Sequence, residues 1–545
     1  MTSQSLQSAI DQQGGNAVEV LRNAKSRPFT FPVTPEFTNW RSEQAAWRDS
    51  CALLDQSHHM ADLFVSGPDA TKFFTWIGTN SAAAYKVGRA KQLVAVNHDG
   101  YLIGDGILFH LDENSFDLVA LPMLSDWVEY NIASGDWDLT LARDDHSLIR
   151  KGDPKLFRYE LQGPNALAII EKVTGQPAPE LKFFHMGEVQ IDGRRVGVLR
   201  HGMAGQPGFE LWGPWADASA VHAKLLADGG EFGITQVGAK GYSSANLGSG
   251  WVPSPPPAIF QPELKAYREW LDLSKAGSLG GSFYSQDAAD YYVTPYDIGL
   301  GRSVSFDHEF LGKEALQRHS ENQRRTKVTL VWNNEDVMKA LGSILGEGVP
   351  AKYIELPKSR YALYQTDRIL KEGKTVGMSL DVGYLANEKV FLSLATIDVE
   401  HARTGTEVVV VWGEEPNSRK VHRAPQVPLR AVSDRPDPER GKDGGDVPGR
   451  RLPRQRAGVP VPGHDRDRTC PDRNRSSGGL GRGTQFPQST GRAAPPGGDP
   501  RHGGSRPVHG VRTVRIPRVV KPPDQAPARS LTISSPIRSV GFKRS

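Results

Sequence analysis

An α+β architecture is predicted by three features of this 545-residue sequence. One strand–turn–helix figure occurs twice, a series of short strands follows it, and apolar patterning then stops. The first figure runs from a strand at Ala61 to Ser66 into Gly67-Pro68-Asp69-Ala70. The second runs from Phe157 to Gln162 into Gly163-Pro164-Asn165-Ala166. In each, Gly frees the backbone at the end of the strand and Pro presets φ for a helix start. Phe73, Phe74 and Ile77 continue the first helix, and Leu167 to Val173 the second. A spacing of 96 residues between the two figures predicts two copies of one α+β unit, hence a pseudo-symmetric domain over residues 14–325.

Taken in order, Pro35 to Leu54 predict an amphipathic helix, with Trp40, Trp47, Cys51 and Leu54 at helical spacing. A polar knot follows, Asp55-Gln56-Ser57-His58-His59-Met60. Gln92 to Ala95, Gly106 to His110 and Ser115 to Leu121 predict strands, with Asn97-His98-Asp99-Gly100 as a hairpin turn. Val196 to Trp212 predicts two short strands joined by a Gly- and Pro-rich connection. Glu210 stands in the second of them between Phe209 and Leu211. A carboxylate there is either solvated on an outer face or receives donors from something bound.

Gly241 to Ala258, rich in Gly, Ser and Pro, predicts a functional loop or a linker. Lys327 to Trp332, Tyr361 to Tyr364, Val376 to Ser379, Val390 to Leu394 and Val408 to Trp412 predict a smaller β domain over residues 326–420.

After Trp412 only Phe486 and Phe542 are aromatic. From Val421 onward there are 25 Lys and Arg against 10 Asp and Glu, which leaves 41 against 52 in the preceding residues. The body is therefore acidic and the tail basic, and the whole-chain charge of +4 describes neither. A segment so poor in apolar residues cannot offset its ordering entropy, so residues 421–545 are expected to be disordered. Arg/Gly-rich composition also occurs in RNA-binding or scaffold segments, but this tail has almost no aromatics to stack on bases.

Two cysteines, Cys51 and Cys470, exclude a disulfide framework and a multi-cysteine zinc site. The polar, uncharged N-terminus lacks a signal-peptide pattern, and no apolar run approaches membrane-spanning length. The expectation is a cytoplasmic protein that binds neither membrane nor nucleic acid. No His-Glu-x-x-His occurs, and Gly277-Ser-Leu-Gly-Gly281 lacks the spacing and context of a dinucleotide fingerprint.

Several longer phrases carry a resemblance. They are Asn39-Trp40-Arg41, the knot Asp55 to Met60, Leu199-Arg-His-Gly-Met-Ala-Gly205, Ser249-Gly-Trp251-Val-Pro-Ser-Pro, Lys265-Ala-Tyr-Arg-Glu-Trp270 and Ala395-Thr-Ile-Asp398. With Tyr101-Leu-Ile-Gly-Asp105-Gly and Phe306-Asp-x-x-Phe310-Leu-Gly-Lys, they resemble the aminomethyltransferase (glycine-cleavage T-protein) superfamily. Within it they are most similar to the tetrahydrofolate-dependent O-demethylases of lignin-derived aromatics. The resemblance spans about residues 14 to 420.

It implies a folate-binding domain, then a β-barrel-like C-terminal domain. It also implies methyl transfer from an aryl methyl ether to N5 of tetrahydrofolate, with no metal. Phenolate is a sluggish leaving group, so such an enzyme must align the reacting atoms and stabilise charge on the ether oxygen. By resemblance, Tyr242 acts at the substrate oxygen, and His59 with Gln56 contacts the ring hydroxyls. Glu210 holds the pterin, whose amino and ring N–H groups one carboxylate can accept bidentately. Trp251 packs nearby, and Asp105 is a further cofactor contact.

Two departures bear on specificity. Leu121 stands where the vanillate enzyme carries an Arg for the substrate carboxylate, and Phe31 replaces a Tyr. Both favour the bulkier syringate over vanillate or 3-O-methylgallate, with another methoxyarene such as dicamba as an alternative. A dimethylglycine- or sulfoniopropionate-type methyltransferase is a further alternative within the superfamily. Finally, Val421-His-Arg-Ala-Pro-Gln426 stands where the family continues with Glu-Pro-His-Arg. A one-base slip relates the two, so the tail is expected to be out-of-frame from about Val421.

Overall fold

In the computed structural model both Gly-Pro figures adopt one conformation: Gly67 has φ +140° and Gly163 φ +138°. At each a Cβ would collide with a backbone carbonyl, Asp138 O at 2.3 Å and Ser50 O at 2.5 Å, so only glycine fits. The helices Ala70–Ile77 and Ala166–Thr174 follow them. The structure describes residues 4–24, 32–253, 255–413 and 427–434.

Eleven strands build the first domain. They are β1 (Cys51–Asp55), β2 (Ala61–Ser66), β3 (Arg89–Val96), β4 (Leu102–Asp112), β5 (Ser115–Ala120), β6 (Thr140–Asp144), β7 (Leu156–Gln162), β8 (Met186–Ile191), β9 (Arg194–His201), β10 (Gly208–Pro214) and β11 (Ile234–Val237). One sheet has the order β3-β4-β5-β2-β6, the other β11-β1-β7-β10-β9-β8. Read from the other edge, the second is the first repeated, with β8, β9, β10, β7 and β11 in the places of β3, β4, β5, β2 and β6. The predicted duplication is thus present, with β1 inserted between β7 and β11.

Each sheet buries one face under its own helices. Phe73, Phe74 and Trp127 are buried in the first cluster, and Phe157, Ile169 and Val221 in the second. Full burial of each such side chain contributes about 1.5–3 kcal/mol. A third, smaller cluster of Ala90, Phe109, Val119 and Leu199 joins the two sheets, with Trp212 edge-on to Phe109. The helix Leu6–Gln12, ahead of the expected domain start at residue 14, packs on the helix Lys265–Trp270 and belongs to the first core.

The helix expected over Pro35 to Leu54 is shorter. It spans Trp40–Asp49, capped by the Asn39 side chain, and Cys51 to Leu54 form β1 instead. β1 lies between β7 and β11, and all four residues are buried. A continuous apolar run suits a strand covered on both faces, which helical spacing cannot exclude.

The remaining strands are β12 (Leu279–Gly280), β13 (Arg325–Trp332), β14 (Tyr364–Gln365), β15 (Asp367–Lys371), β16 (Lys374–Leu385), β17 (Val390–Asp398), β18 (Glu407–Trp412) and β19 (Val427–Asp434). Six of them close a barrel in the order β13-β17-β16-β15-β18-β19 around Trp332 and Trp412. Tyr361 to Tyr364 is not a barrel strand. Only Tyr364–Gln365 pairs, with β12, and Asp367–Lys371 takes the barrel position.

The expected disorder from Val421 also fails at β19, which pairs with both β13 and β18. Leu429, Ala431 and Ser433 are buried while Val432 faces outward, the alternation of a barrel strand. The patterned sequence therefore extends to Asp434. Among the described residues no helix is long and apolar enough to cross a membrane.

Candidate functional site

The knot Asp55 to Met60 leaves the end of β1 and meets the short helix Ala239–Tyr242. There Tyr242 Oη donates to His59 Nε2 at 2.7 Å, with the rings edge to face at 4.9 Å. Burial lowers the His59 pKa to about 4, helped by His58 and opposed by a hydrogen bond to the Gln56 backbone. His59 is thus a neutral acceptor. Burial pushes the Tyr242 phenol well above its ordinary value, and Glu160, Glu210 and Asp55 add to this. Its proton stays on the oxygen, where it can be shared in a hydrogen bond. Gln56 Nε2 donates to Met203 Sδ at 3.1 Å, and Met203 also faces Tyr242. Three residues singled out in the sequence, Gln56, His59 and Tyr242, therefore meet, the last two 183 positions apart.

Glu210 is buried, not solvated. Its Oε1 accepts from Arg158 Nη1 at 2.9 Å. Arg158, rising from β7, also reaches Asp117 Oδ2 at 2.5 Å and Asp62 Oδ1 through Nε at 2.9 Å and Nη2. One guanidinium thereby ties β7 and β10 of the second sheet to β2 and β5 of the first. Burial and the neighbouring Asp62 carboxylate push Asp117 well above the carboxylate range. Burial raises Glu210 as well, against the pull of Arg158.

Beside them, His201 Nδ1 lies 3.0 Å from Glu160 Oε1 and 3.9 Å from Glu210 Oε2. Burial opposes its charge, but Glu160 and Glu210 outweigh that and raise its pKa to about 8. Asp105 accepts from Gln92 at 2.7 Å and from the Trp251 indole at 2.8 Å. Burial nevertheless raises it to about 6.

Gln56, His59, Tyr242, Met203, Glu210, Arg158, His201, Asp105 and Trp251 line one cavity of about 1760 Å³, bounded also by Leu121 and, on the barrel side, by Lys327 and Lys358. This exceeds the usual range of small-ligand pockets, so two ligands fit together. Tyr242, His59, Gln56, Leu121, Glu210, Trp251 and Asp105 thus share one site. Leu121 stands just ahead of the helix Pro122–Ser134, and Phe31 lies outside the described residues.

Among the described residues, Glu160, His201 and Glu210 form the one acid–histidine cluster compact enough for a metal ion. Arg158 and the His201 imidazolium already answer these carboxylates, so a cation there would compete with two charges of the protein itself. The carboxylate pair of Glu210, backed by Arg158 and open to the cavity, suits the amino and ring N–H donors of a pterin.

Arg158, Asp62, Asp117, Glu160 and His201 were not singled out from the sequence. Arg158 and Glu160 alternate with apolar residues in Leu156–Gln162, a pattern that ordinarily marks a solvated strand face. Here that face meets the other half of the domain. Two unlike charges at period 2 beside a glycine turn were the available signal.

The sequence model of the GCVT N-terminal domain family matches residues 6–252. The chain is 46% identical over 418 residues to syringate O-demethylase of Sphingobium sp. (strain NBRC 103272 / SYK-6), covering 76% of this chain and 90% of that protein. It is 29% identical to sesamin methylene transferase of Sinomonas sp. (strain No.22), covering 65% and 80% respectively. Among solved structures, aminomethyltransferase T of the Bartonella henselae glycine cleavage system superposes with a TM-score of 0.52. That match has 19% identity, covers 79% of this chain and 96% of that one, and shows the shared fold. The repeated sheet, the barrel and these relatives agree: the chain belongs to the tetrahydrofolate-dependent O-demethylases of the aminomethyltransferase superfamily.

Proposed function

We propose that this protein demethylates a methoxybenzoate, with syringate favoured over vanillate and 3-O-methylgallate, and passes the methyl group to N5 of tetrahydrofolate. The observation that carries this is the pairing of a protonated Tyr242 with a neutral His59 at 2.7 Å, on the same cavity as a buried Glu210.

Tetrahydrofolate supplies the nucleophilic nitrogen, and the chain supplies position and charge. Glu210 anchors the pterin edge, while Trp251 and Asp105 flank the cofactor. Gln56 and His59 hold the ring oxygens, which fixes the ether in line with the acceptor. Tyr242 turns its hydroxyl from His59 to the ether oxygen and hydrogen-bonds the charge that develops there as the C–O bond breaks. The phenolate takes up the proton that N5 loses, through solvent, so the step balances and Tyr242 keeps its own. Leu121 and Phe31 leave the ring recognised mainly through its oxygen substituents, which favours two methoxy groups over one.

The test is tetrahydrofolate-dependent turnover of syringate, vanillate, 3-O-methylgallate and dicamba by the purified protein. Syringate is expected to be fastest. Faster turnover of vanillate sinks the substrate preference, and demethylation without tetrahydrofolate sinks the reaction.

A further inference from the structure

The edge of a pterin that faces a carboxylate offers three groups in a row. Two are donors, the 2-amino group and N3–H, and the third is an acceptor, the carbonyl oxygen at C4. Glu210 can satisfy the donors but, being an acceptor only, not the carbonyl. A pterin seated on Glu210 therefore needs a hydrogen-bond donor immediately beside that carboxylate. Without one, a buried carbonyl oxygen is left unpaired, at a cost comparable to a lost hydrogen bond.

Few groups can reach. The Arg158 nitrogens are committed to Asp62, Asp117 and Glu210. The Gln162 amide donates to Glu160 at 2.7 Å, and Tyr242 donates to His59. His201 is different. Its Nδ1 is held on Glu160 and lies 3.9 Å from Glu210 Oε2, its ring stacks on Phe184 at 5.6 Å, and it lines the cavity. Among the described residues no acceptor meets its Nε2.

We propose that His201, oriented by Glu160, donates from Nε2 to the pterin C4 carbonyl and so makes the site selective for 4-oxo over 4-amino pterins. This rests on the reading of Glu210 as the pterin anchor. Glu160 does two things for His201. It fixes the ring by accepting from Nδ1, and it favours the imidazolium, in which Nε2 is a donor rather than an acceptor. Glu160 can do so because it is fully buried and already oriented by Gln162. A 4-amino group in the same place would set donor against donor at His201, in addition to the N3–H that such a ring no longer offers Glu210. Glu160 is a positioning residue here, and His201 the contact.

Calorimetric titration of the full chain with tetrahydrofolate and with its 4-amino analogue decides. The wild type is expected to bind the 4-oxo ligand at least about tenfold more tightly. His201→Gln, whose amide presents either a donor or an acceptor by flipping, should lower that ratio severalfold, leaving the part that Glu210 reads at N3. His201→Leu should also lower it severalfold, chiefly by weakening tetrahydrofolate. A purely structural histidine would weaken both ligands alike, so an unchanged ratio in His201→Gln overturns the assignment while leaving the anchor reading intact. Wild-type protein that binds no tetrahydrofolate overturns both.

Discussion

Strand β2 of the first repeat and β7 of the second end on equivalent glycines, Gly67 and Gly163, so Asp62 corresponds to Arg158 and Phe64 to Glu160. Across the sheets Asp117 faces Phe64 as Glu210 faces Glu160, so those two acids also correspond. The frame is shared and the chemistry is not. In the first repeat the inward positions carry acids that meet no cation of their own sheet. In the second they carry the arginine that answers them and the acid–histidine pair beside it. Duplication supplied a symmetric scaffold, and charge reversal at one strand position turned the seam between the copies into a binding site. The strand that breaks the symmetry, β1, delivers Gln56 and His59 at its end.

Breaking the seam should have the largest effect. Arg158→Met leaves Asp62, Asp117 and Glu210 buried without their cation, and a loss of about 3–5 kcal/mol in denaturant unfolding is expected. Arg158→Lys should recover part of it, because an ammonium restores the charge but not the fork. If Arg158→Met unfolds like wild type, the seam does not hold the repeats together.

Tyr242→Phe tests the asymmetric side. It removes the donor while leaving Glu210 untouched, so turnover should fall about 100-fold with tetrahydrofolate affinity nearly unchanged. Glu210→Gln should do the reverse, weakening tetrahydrofolate about tenfold while saturated turnover changes less.

A pH measurement isolates the histidine of the second repeat. Folding raises the His201 pKa from its usual 6.5 to about 8, so the folded state binds the extra proton. The resulting stability, about 2 kcal/mol, is fully present below pH 6.5 and is lost as pH rises through 8. Glu160→Gln should flatten that decline. The smallest effect is expected from Leu121→Arg, which adds a cation at the substrate end and should lower the vanillate KM severalfold against syringate.

Features resting on local backbone rules were legible in the sequence. The twin Gly-Pro figures specify a conformation that neighbours cannot override, and the β16, β17 and β18 segments show themselves by continuous apolar burial. Cys51 to Leu54 misled because four apolar residues after a helix continue its period as readily as they begin a strand. Leu429 and Ala431 were hidden because one alternating strand is diluted by the charged composition beyond it. The site was legible only through resemblance, since Tyr242 and His59 lie 183 residues apart and no local pattern announces their meeting. Arg158 escaped because burial between two duplicated sheets is invisible to the strand that carries it.

The barrel carries neither Tyr242 nor Trp251, yet it grips the segment that does. Lys327 Nζ of β13 donates to Gly250 O at 2.6 Å. Asn246 donates to Asp381 of β16 at 2.6 Å and to Trp251 O at 2.9 Å, with Lys358 closing the buried cluster. Tyr242 and Trp251 thus bracket a span moored to the barrel at both Asn246 and Gly250. Slack in that mooring would reach the tyrosine and the tryptophan together, and both halves of the reaction would lose alignment at once. The barrel is the anchor block against which the span from Tyr242 to Trp251 is held.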